Sequence, residues 1–220
     1  MENIKTPYIE IGKRPKVILA IACTDTIKAR TALAIVQSLH DTNFDYDLIM
    51  SIGCDLIGSR TRLVNQAIAR GGTHMLFVDH DMYFPCVLNP VTGKKENPIS
   101  RLLGHQKDVV GVPYCYRSLP SRTTVIPFDA QPSASGKFEI DPNTLSKTLF
   151  KAKALGTGFL LIKLSVFEKI EKPWFQFGRN ADAEMVYGED TFFINQVMKA
   201  GLEAWCDPVC DVKHIGEYLY

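Results

Sequence analysis

No apolar run in this chain approaches the roughly 20 residues needed to cross a bilayer as a helix. The first 16 residues are polar, contain Pro7 and Pro15, and lack the apolar stretch of a secretory leader. The expected place of action is therefore a cytoplasm, that of a host cell if the chain is viral. An excess of charge of one sign is also missing: 25 Lys and Arg face 24 Asp and Glu, for a formal net charge of +1. That balance speaks against a protein held to nucleic acid mainly through phosphate contacts, although a local basic groove stays compatible with it. Paired Cys-x-x-Cys knuckles are absent. Cys23, Cys54, Cys86, Cys115, Cys206 and Cys210 are scattered, four of them in or beside apolar runs, and read as reduced, buried thiols. Cys206, Cys210 and His214 recur every four residues, a spacing suggestive of zinc, but Pro208 interrupts the run and no second knuckle completes it. Repeats and low-complexity tracts are lacking too.

What is present has ordinary globular composition, 46% hydrophobic and 22% charged, at a length that suits one α/β domain. Residues 17–23 (VILAIAC) form a continuous apolar run, as expected of a strand covered on both faces. Thr24-Asp25-Thr26 is a helix-entry signal before helical spacing over 29–39. A second strand is expected at 47–53, then a helix over 60–70 capped by Ser59 and closed by Gly71-Gly72. A third buried strand, 73–78 (THMLFV), ends in Asp79-His80-Asp81. This alternation predicts a mostly parallel, doubly wound sheet flanked by helices. Beyond it come a short helix at 98–105 and a strand at 108–113. A loop-rich stretch follows over 117–147, built around one hairpin. A strand at 158–163, a short helix at 165–170 and an irregular stretch at 174–188 come next. A helix over 190–200 and closing strands at 202–205 and 209–214 complete the reading.

Three places carry candidate chemistry. Asp79 and Asp81 close a buried strand, where ligands of open α/β sheets bind. On an extended chain their i, i+2 spacing turns both carboxylates to one side, a pattern suited to a hard divalent cation shared with a diphosphate; strand termination and turn hydrogen bonds are the plainer explanation. Glu189 and Asp190 open a helix, where an acid caps the helix or serves as a general base, with Glu189 orienting a neighbour. His214 is either a structural imidazole or the residue completing a site with Asp81. Arg60 at a helix start suits donor phosphates or plain solvation. Asp25 suits a base or ribose, or a cap. Trp174-Phe175 suits packing better than stacking on a ligand.

In order and spacing these segments resemble the GT-A glycosyltransferases, in particular the family 2-like group, over about 16–216. VILAIACTD is similar to that family's nucleotide-binding opening, and MLFVDHDMYFP to the strand bearing its Asp-x-Asp motif. SRTRLV resembles its helix start, with Thr61 where Asn is usual. GTGFLLIKLSVFEKI followed by PWF resembles the acceptor-side strand and helix. GEDTFFINQVMKAGLEAWCDPVCDVKHIG resembles the Glu-Asp helix through to a metal-binding His.

The resemblance implies a single GT-A-like domain over 1–220, with a nucleotide-sugar half at about 16–113 and an acceptor and catalytic half at about 114–220. It implies Thr24, Asp25, Arg60 and Asp79 at the nucleotide, with Asp79, Asp81 and His214 at Mn²⁺ or Mg²⁺. Asp190 would be the catalytic base, beside Glu189. The expected donor is a nucleotide-diphosphate sugar, a UDP-sugar foremost, and the expected outcome is inversion at the anomeric carbon. The chain stops soon after His214, whereas relatives continue with helices that shape the acceptor site. The acceptor platform is therefore expected to be small or supplied by another subunit. A glycan, a protein and a hydroxymethylated DNA base all remain as acceptors. Two alternatives from other classes stay open. One is a nucleotidyltransferase, although residues 24–29 offer Lys28 and no glycine for the required loop; the other is a catalytically silent nucleotide-sugar or glycan-binding module.

Overall fold

The computed structural model describes residues 14–40, 42–88, 93, 95–118, 121–182 and 184–216, so the polar stretch before Arg14 and the last four positions lie outside the described residues. The elements run in the order β1 (Lys16–Cys23), α1 (Ala29–Ser38), β2 (Asp45–Ile52), α2 (Leu56–Ala69), β3 (His74–Val78), β4 (Met82–Tyr83), β5 (Val87–Leu88), β6 (Lys95–Glu96), α3 (Pro98–Gly104), β7 (Val109–Gly111), β8 (Ile126–Pro127), β9 (Phe150–Ala154), β10 (Phe159–Lys163), α4 (Val166–Lys169), β11 (Gly178–Arg179), β12 (Met185–Tyr187), α5 (Glu189–Lys199), β13 (Ala204–Cys206) and β14 (Lys213–His214).

Eight strands form the central sheet in the order β2-β1-β3-β10-β7-β13-β9-β8. β1 lies parallel to β2 and β3, and β13 parallel to β7. β10 is antiparallel to both β3 and β7, and β9 to both β13 and β8. All but β10 and β9 therefore run one way, giving the mostly parallel, Rossmann-like α/β sheet that the strand–helix alternation predicted. The two reversed strands were not visible in the sequence, because a short apolar run has the same pattern in either direction. The two halves of the chain share this sheet: β7 of the first half sits between β10 and β13 of the second.

The apolar run of β1 is explained by its position. Ile18, Ala20 and Ala22 face one core layer with Leu63, Val64 and Ala67 of α2. Val17, Leu19 and Ile21 face the other layer with Ala34 and Ile35 of α1. A strand with helices on both faces has no solvent side, so every second residue gains by being apolar on each face. One aromatic cluster lies on the α2 side, where Phe77 meets Phe175 edge-on and Phe175 stacks on Phe193. Trp174 packs against Phe167, which places Trp174-Phe175 in the core.

Several boundaries differ from the sequence reading. α2 starts a full turn before the expected Ser59 cap, because the Asp55 carboxylate accepts from Gly58 N–H (2.9 Å) and caps the helix itself. Gly58 makes this possible, since a Cβ there would lie 1.8 Å from Asp55 Oδ2. The stretch expected to be irregular before α5 contains the β11–β12 hairpin. In the loop-rich region, residues 114–118 and 121–124 run antiparallel as the two sides of a narrow arm, with Tyr116 N–H donating to Arg122 O and Thr124 N–H to Tyr114 O. The last expected strand shrinks to β14, which pairs with β4 directly after the Asp79–Asp81 turn. That short pairing carries His214 across the molecule to the candidate site. No helix among the described residues is long and apolar enough to cross a membrane.

Candidate functional site

At the carboxyl ends of β1, β2 and β3 the chain opens a cavity of about 220 Å³. Its wall includes Thr24 after β1, Gly53 after β2, Ser59 and Arg60 on the first turns of α2, Asp79 and Asp81 after β3, and His214 and Arg117 from the second half. Neighbouring parallel strands end at the same level, so their terminal loops converge there.

The two aspartates reach this cavity by a different route from the one expected. The chain does not stay extended past β3 but turns, with Met82 N–H donating to Asp79 O (3.3 Å). Ile215 N–H donates to Asp81 O (2.7 Å), tying the turn to the end of β14. Both carboxylates still line one wall.

Asp79 is held from behind. Its Oδ1 lies 3.3 Å from Arg60 Nη2, and Arg60 Nε lies 3.2 Å from Glu189 Oε1 at the start of α5. The Arg60 guanidinium is only 3% exposed and stacks over Phe77 at 5.1 Å. Burial pulls its pKa down, but Asp79 and Glu189 more than offset this and hold it firmly charged. Arg60 therefore lines the cavity as a clamp between two carboxylates. In front of Asp79 stands Gly158, where a Cβ would come within 3.0 Å of Asp79 Oδ2 and 2.7 Å of Tyr114 Oη. Gly158 N–H donates to the Tyr114 hydroxyl (2.8 Å), and burial together with Asp79 raises that phenol well above its usual range.

Asp190 follows Glu189 in the first turn of α5. Its Oδ1 accepts from Thr191 N–H (2.6 Å). Burial, and after it the charge of Glu189, lifts the Asp190 carboxyl above the ordinary carboxylate range, with Arg60 pulling the other way. Tyr116 lies within electrostatic reach of Asp190 and Glu189, and burial followed by these two acids raises its phenol as well. A carboxylate poised to take up a proton is the property a general base requires.

His214 meets the cavity through its ring. Nδ1 lies 2.7 Å from Cys115 O and, since a carbonyl can only accept, donates to it, which leaves Nε2 as the ring nitrogen available to a ligand. The ring packs edge-on against Tyr114 at 4.7 Å. Thr24 lines the cavity, while Asp25 sits exposed beside it and accepts from the Thr24 hydroxyl (3.3 Å).

A divalent cation suits this wall in donor chemistry: two aspartates and a histidine line one space, and Asp81 Oδ2 is buried with no hydrogen-bond partner among the described residues. Among the described residues no group of three or more His, Cys, Asp or Glu side chains could hold a metal ion by itself. The rest of a coordination shell would have to come from a ligand, as is usual for Mg²⁺ beside phosphates. The Cys206–Cys210–His214 spacing belongs to that negative result. Both thiols are buried and free, and the His214 ring points to Cys115 O.

Arg117 and Tyr114 were missed by sequence reasoning. Arg117 Nη1 lies 2.8 Å from Asp81 Oδ2 and lines the small cavity together with a larger neighbour of about 1120 Å³. His214 is likewise shared between the two. The larger cavity is walled by residues 113–118, Ser121 and Thr123 of the arm, by residues 145–147 with Pro142 and Asn143, and by residues 211–214 with Pro208, Val209 and Gly216. Nothing in Tyr114-Cys115-Tyr116-Arg117 marks it as functional locally. The only signal was the pair Gly156 and Gly158, whose missing side chains make room for the Tyr114 ring.

No protein-family model matches the chain, and no curated protein matches it in sequence. Among solved structures, the crystal structure of A197 from STIV is similar, with 15% sequence identity and a TM-score of 0.56. The match covers 92% of this chain and 86% of that one. At this identity the likeness speaks for the fold alone.

Proposed function

We propose that the chain is a glycosyltransferase that moves a sugar from a nucleotide-diphosphate donor to an acceptor hydroxyl. One observation carries this reading: Asp79, Asp81, Arg60 and His214, spread over 155 residue numbers from Arg60 to His214, wall one cavity, and the Arg60–Glu189 pair ties that wall to the neighbouring half-buried acid Asp190, whose pKa is raised. The nucleotide lies over the ends of β1 and β2, with Thr24 and Gly53 as neighbours. Asp81, together with Asp79 or His214, would hold Mn²⁺ or Mg²⁺ with the diphosphate oxygens completing the shell, and the ion's positive charge would stabilise the departing diphosphate.

The remaining chemistry belongs to this chain's own groups. Arg60 holds Asp79 and Glu189 in place through its two ion pairs. Asp190 takes the proton from the acceptor hydroxyl as its oxygen bonds to the anomeric carbon and the bond to the diphosphate breaks. Attack from the face opposite the leaving group inverts that carbon. The raised pKa of Asp190 suits this task, because a stronger base accepts a proton more readily. The acceptor occupies the larger cavity, which adjoins the donor site along Arg117 and His214. A volume of about 1120 Å³ exceeds what a single sugar ring fills and leaves room for an extended acceptor.

The test is a screen of nucleotide sugars for thermal stabilisation and hydrolysis, with Mn²⁺, with Mg²⁺ and with chelator. One donor that stabilises the protein and is turned over supports the reading; no donor that binds or turns over defeats it.

A further inference from the structure

Two arginines neutralise the aspartates of the site, and they are unlike. Arg60 is sealed in the core. Arg117 stands on the 114–118 side of the arm with 56% of its side chain exposed, yet its guanidinium reaches an Asp81 carboxylate that is only 2% exposed. Asp81 Oδ2 has no hydrogen-bond partner among the described residues, so the Arg117 charge at 2.8 Å is what compensates it. A buried carboxylate deprived of every cation is strongly disfavoured. Two cations crowded on the same oxygen repel each other at this range. Asp81 therefore keeps one cation at a time. An exposed arginine held by a single ion pair is weakly retained, since ordering its long side chain offsets much of the Coulomb gain.

We propose that Arg117 is an exchangeable counter-ion. It occupies the cation position on Asp81 while the site is empty, and it transfers to the anionic donor when a divalent cation takes that position. This inference rests on the donor reading above only for the identity of the anion. Metal alone must displace Arg117 with nothing to receive it, and therefore binds weakly. A nucleoside diphosphate offers the guanidinium a bidentate partner, so metal and nucleotide bind cooperatively. The position of Arg117 between the two cavities lets it move from one anion to the other without the arm leaving its place.

The experiment is a Mn²⁺ titration followed by electron paramagnetic resonance, with and without UDP as the probe nucleotide. It uses the wild-type chain, Arg117→Gln, Arg117→Lys and Asp81→Asn. Wild type is expected to bind Mn²⁺ weakly alone and about tenfold more tightly with UDP. Arg117→Gln is expected to bind Mn²⁺ alone about tenfold more tightly than wild type and to lose most of the UDP effect. Arg117→Lys should fall between the two, and Asp81→Asn should abolish binding. Thermal unfolding of each variant with and without Mn²⁺ gives a second readout of the same exchange. Equal Mn²⁺ affinity in wild type and Arg117→Gln overturns the proposal, as does absence of binding in both. Donor turnover in chelator that depends on Arg117 also overturns it, because the guanidinium would then be the permanent cation. Loss of donor turnover alone, with the Mn²⁺ shifts intact, removes the glycosyltransferase reading and leaves the exchange standing.

Discussion

The Arg60 and Arg117 ion pairs form a natural comparison, because both end on an aspartate of the same short turn. Arg60 comes from a helix, is fully enclosed, and binds two carboxylates from distant parts of the chain. Arg117 comes from an exposed arm and binds one. The first arrangement can only be broken by unfolding the region around it. The second can be exchanged for a ligand while the fold stays intact. The same residue type in the same cavity thus serves architecture in one place and ligand chemistry in the other, and burial of the guanidinium separates the two roles.

The largest effect expected on the site concerns the acid beside the Arg60 clamp. Asp190→Asn should lower transfer by about a hundred- to ten-thousand-fold, measured as turnover at saturating donor. Near-normal turnover would remove Asp190 from the base role. The same variant should not lose stability. The folded-state pKa of Asp190 is raised, so its contribution to stability is full below the ordinary carboxylate pKa and is lost as pH rises through the folded value. Asparagine mimics the neutral acid. The variant should therefore unfold at a higher temperature than wild type near neutral pH, and the gap should close on acidification. A gap that widens in acid would contradict the raised pKa.

Next in size is Arg60→Met. It leaves Asp79 and Glu189 without their shared cation, side chains that are 26% and 11% exposed. The expected loss is about 3–5 kcal/mol in denaturant unfolding, and Mn²⁺ should recover little of it. Arg117→Gln leaves the buried Asp81 carboxylate without its cation and should cost about 3 kcal/mol, the low end of the range for Arg60→Met. Here Mn²⁺ should restore the loss in full. Equal rescue, or equal lack of it, for Arg60→Met and Arg117→Gln would erase the distinction between the two pairs. Gly158→Ala should cost about 1–3 kcal/mol by forcing its Cβ against Tyr114 and Asp79, and should weaken donor binding in the same variant.

Sequence reading reached the fold through burial. The runs VILAIAC and MLFV are apolar throughout because both faces of β1 and β3 are covered, and this is a local signature that needs no coordinates. Glycine and carboxylate punctuation then located the helix starts to within a turn. Asp55 was overlooked as the cap of α2 because Ser59 is an equally good capping residue by type. The direction of β10 and β9 was out of reach, since strand pairing is settled by partners far away in the chain.

The site divides in the same way. Asp79, Asp81, Asp190 and His214 stood out because their residue types fall at the ends of apolar runs or the openings of helices. From its own order of residues the chain determined an α/β sheet and a set of acids at the ends of its elements. Only tertiary packing decided that β14 delivers His214 beside Asp81, that Arg60 is locked between Asp79 and Glu189, and that Arg117 covers Asp81. The physical reason is range. Apolar periodicity and capping act within a few residues and leave a mark in the local sequence, whereas charge compensation in a buried site is satisfied by whichever cation the fold brings near, at any separation along the chain.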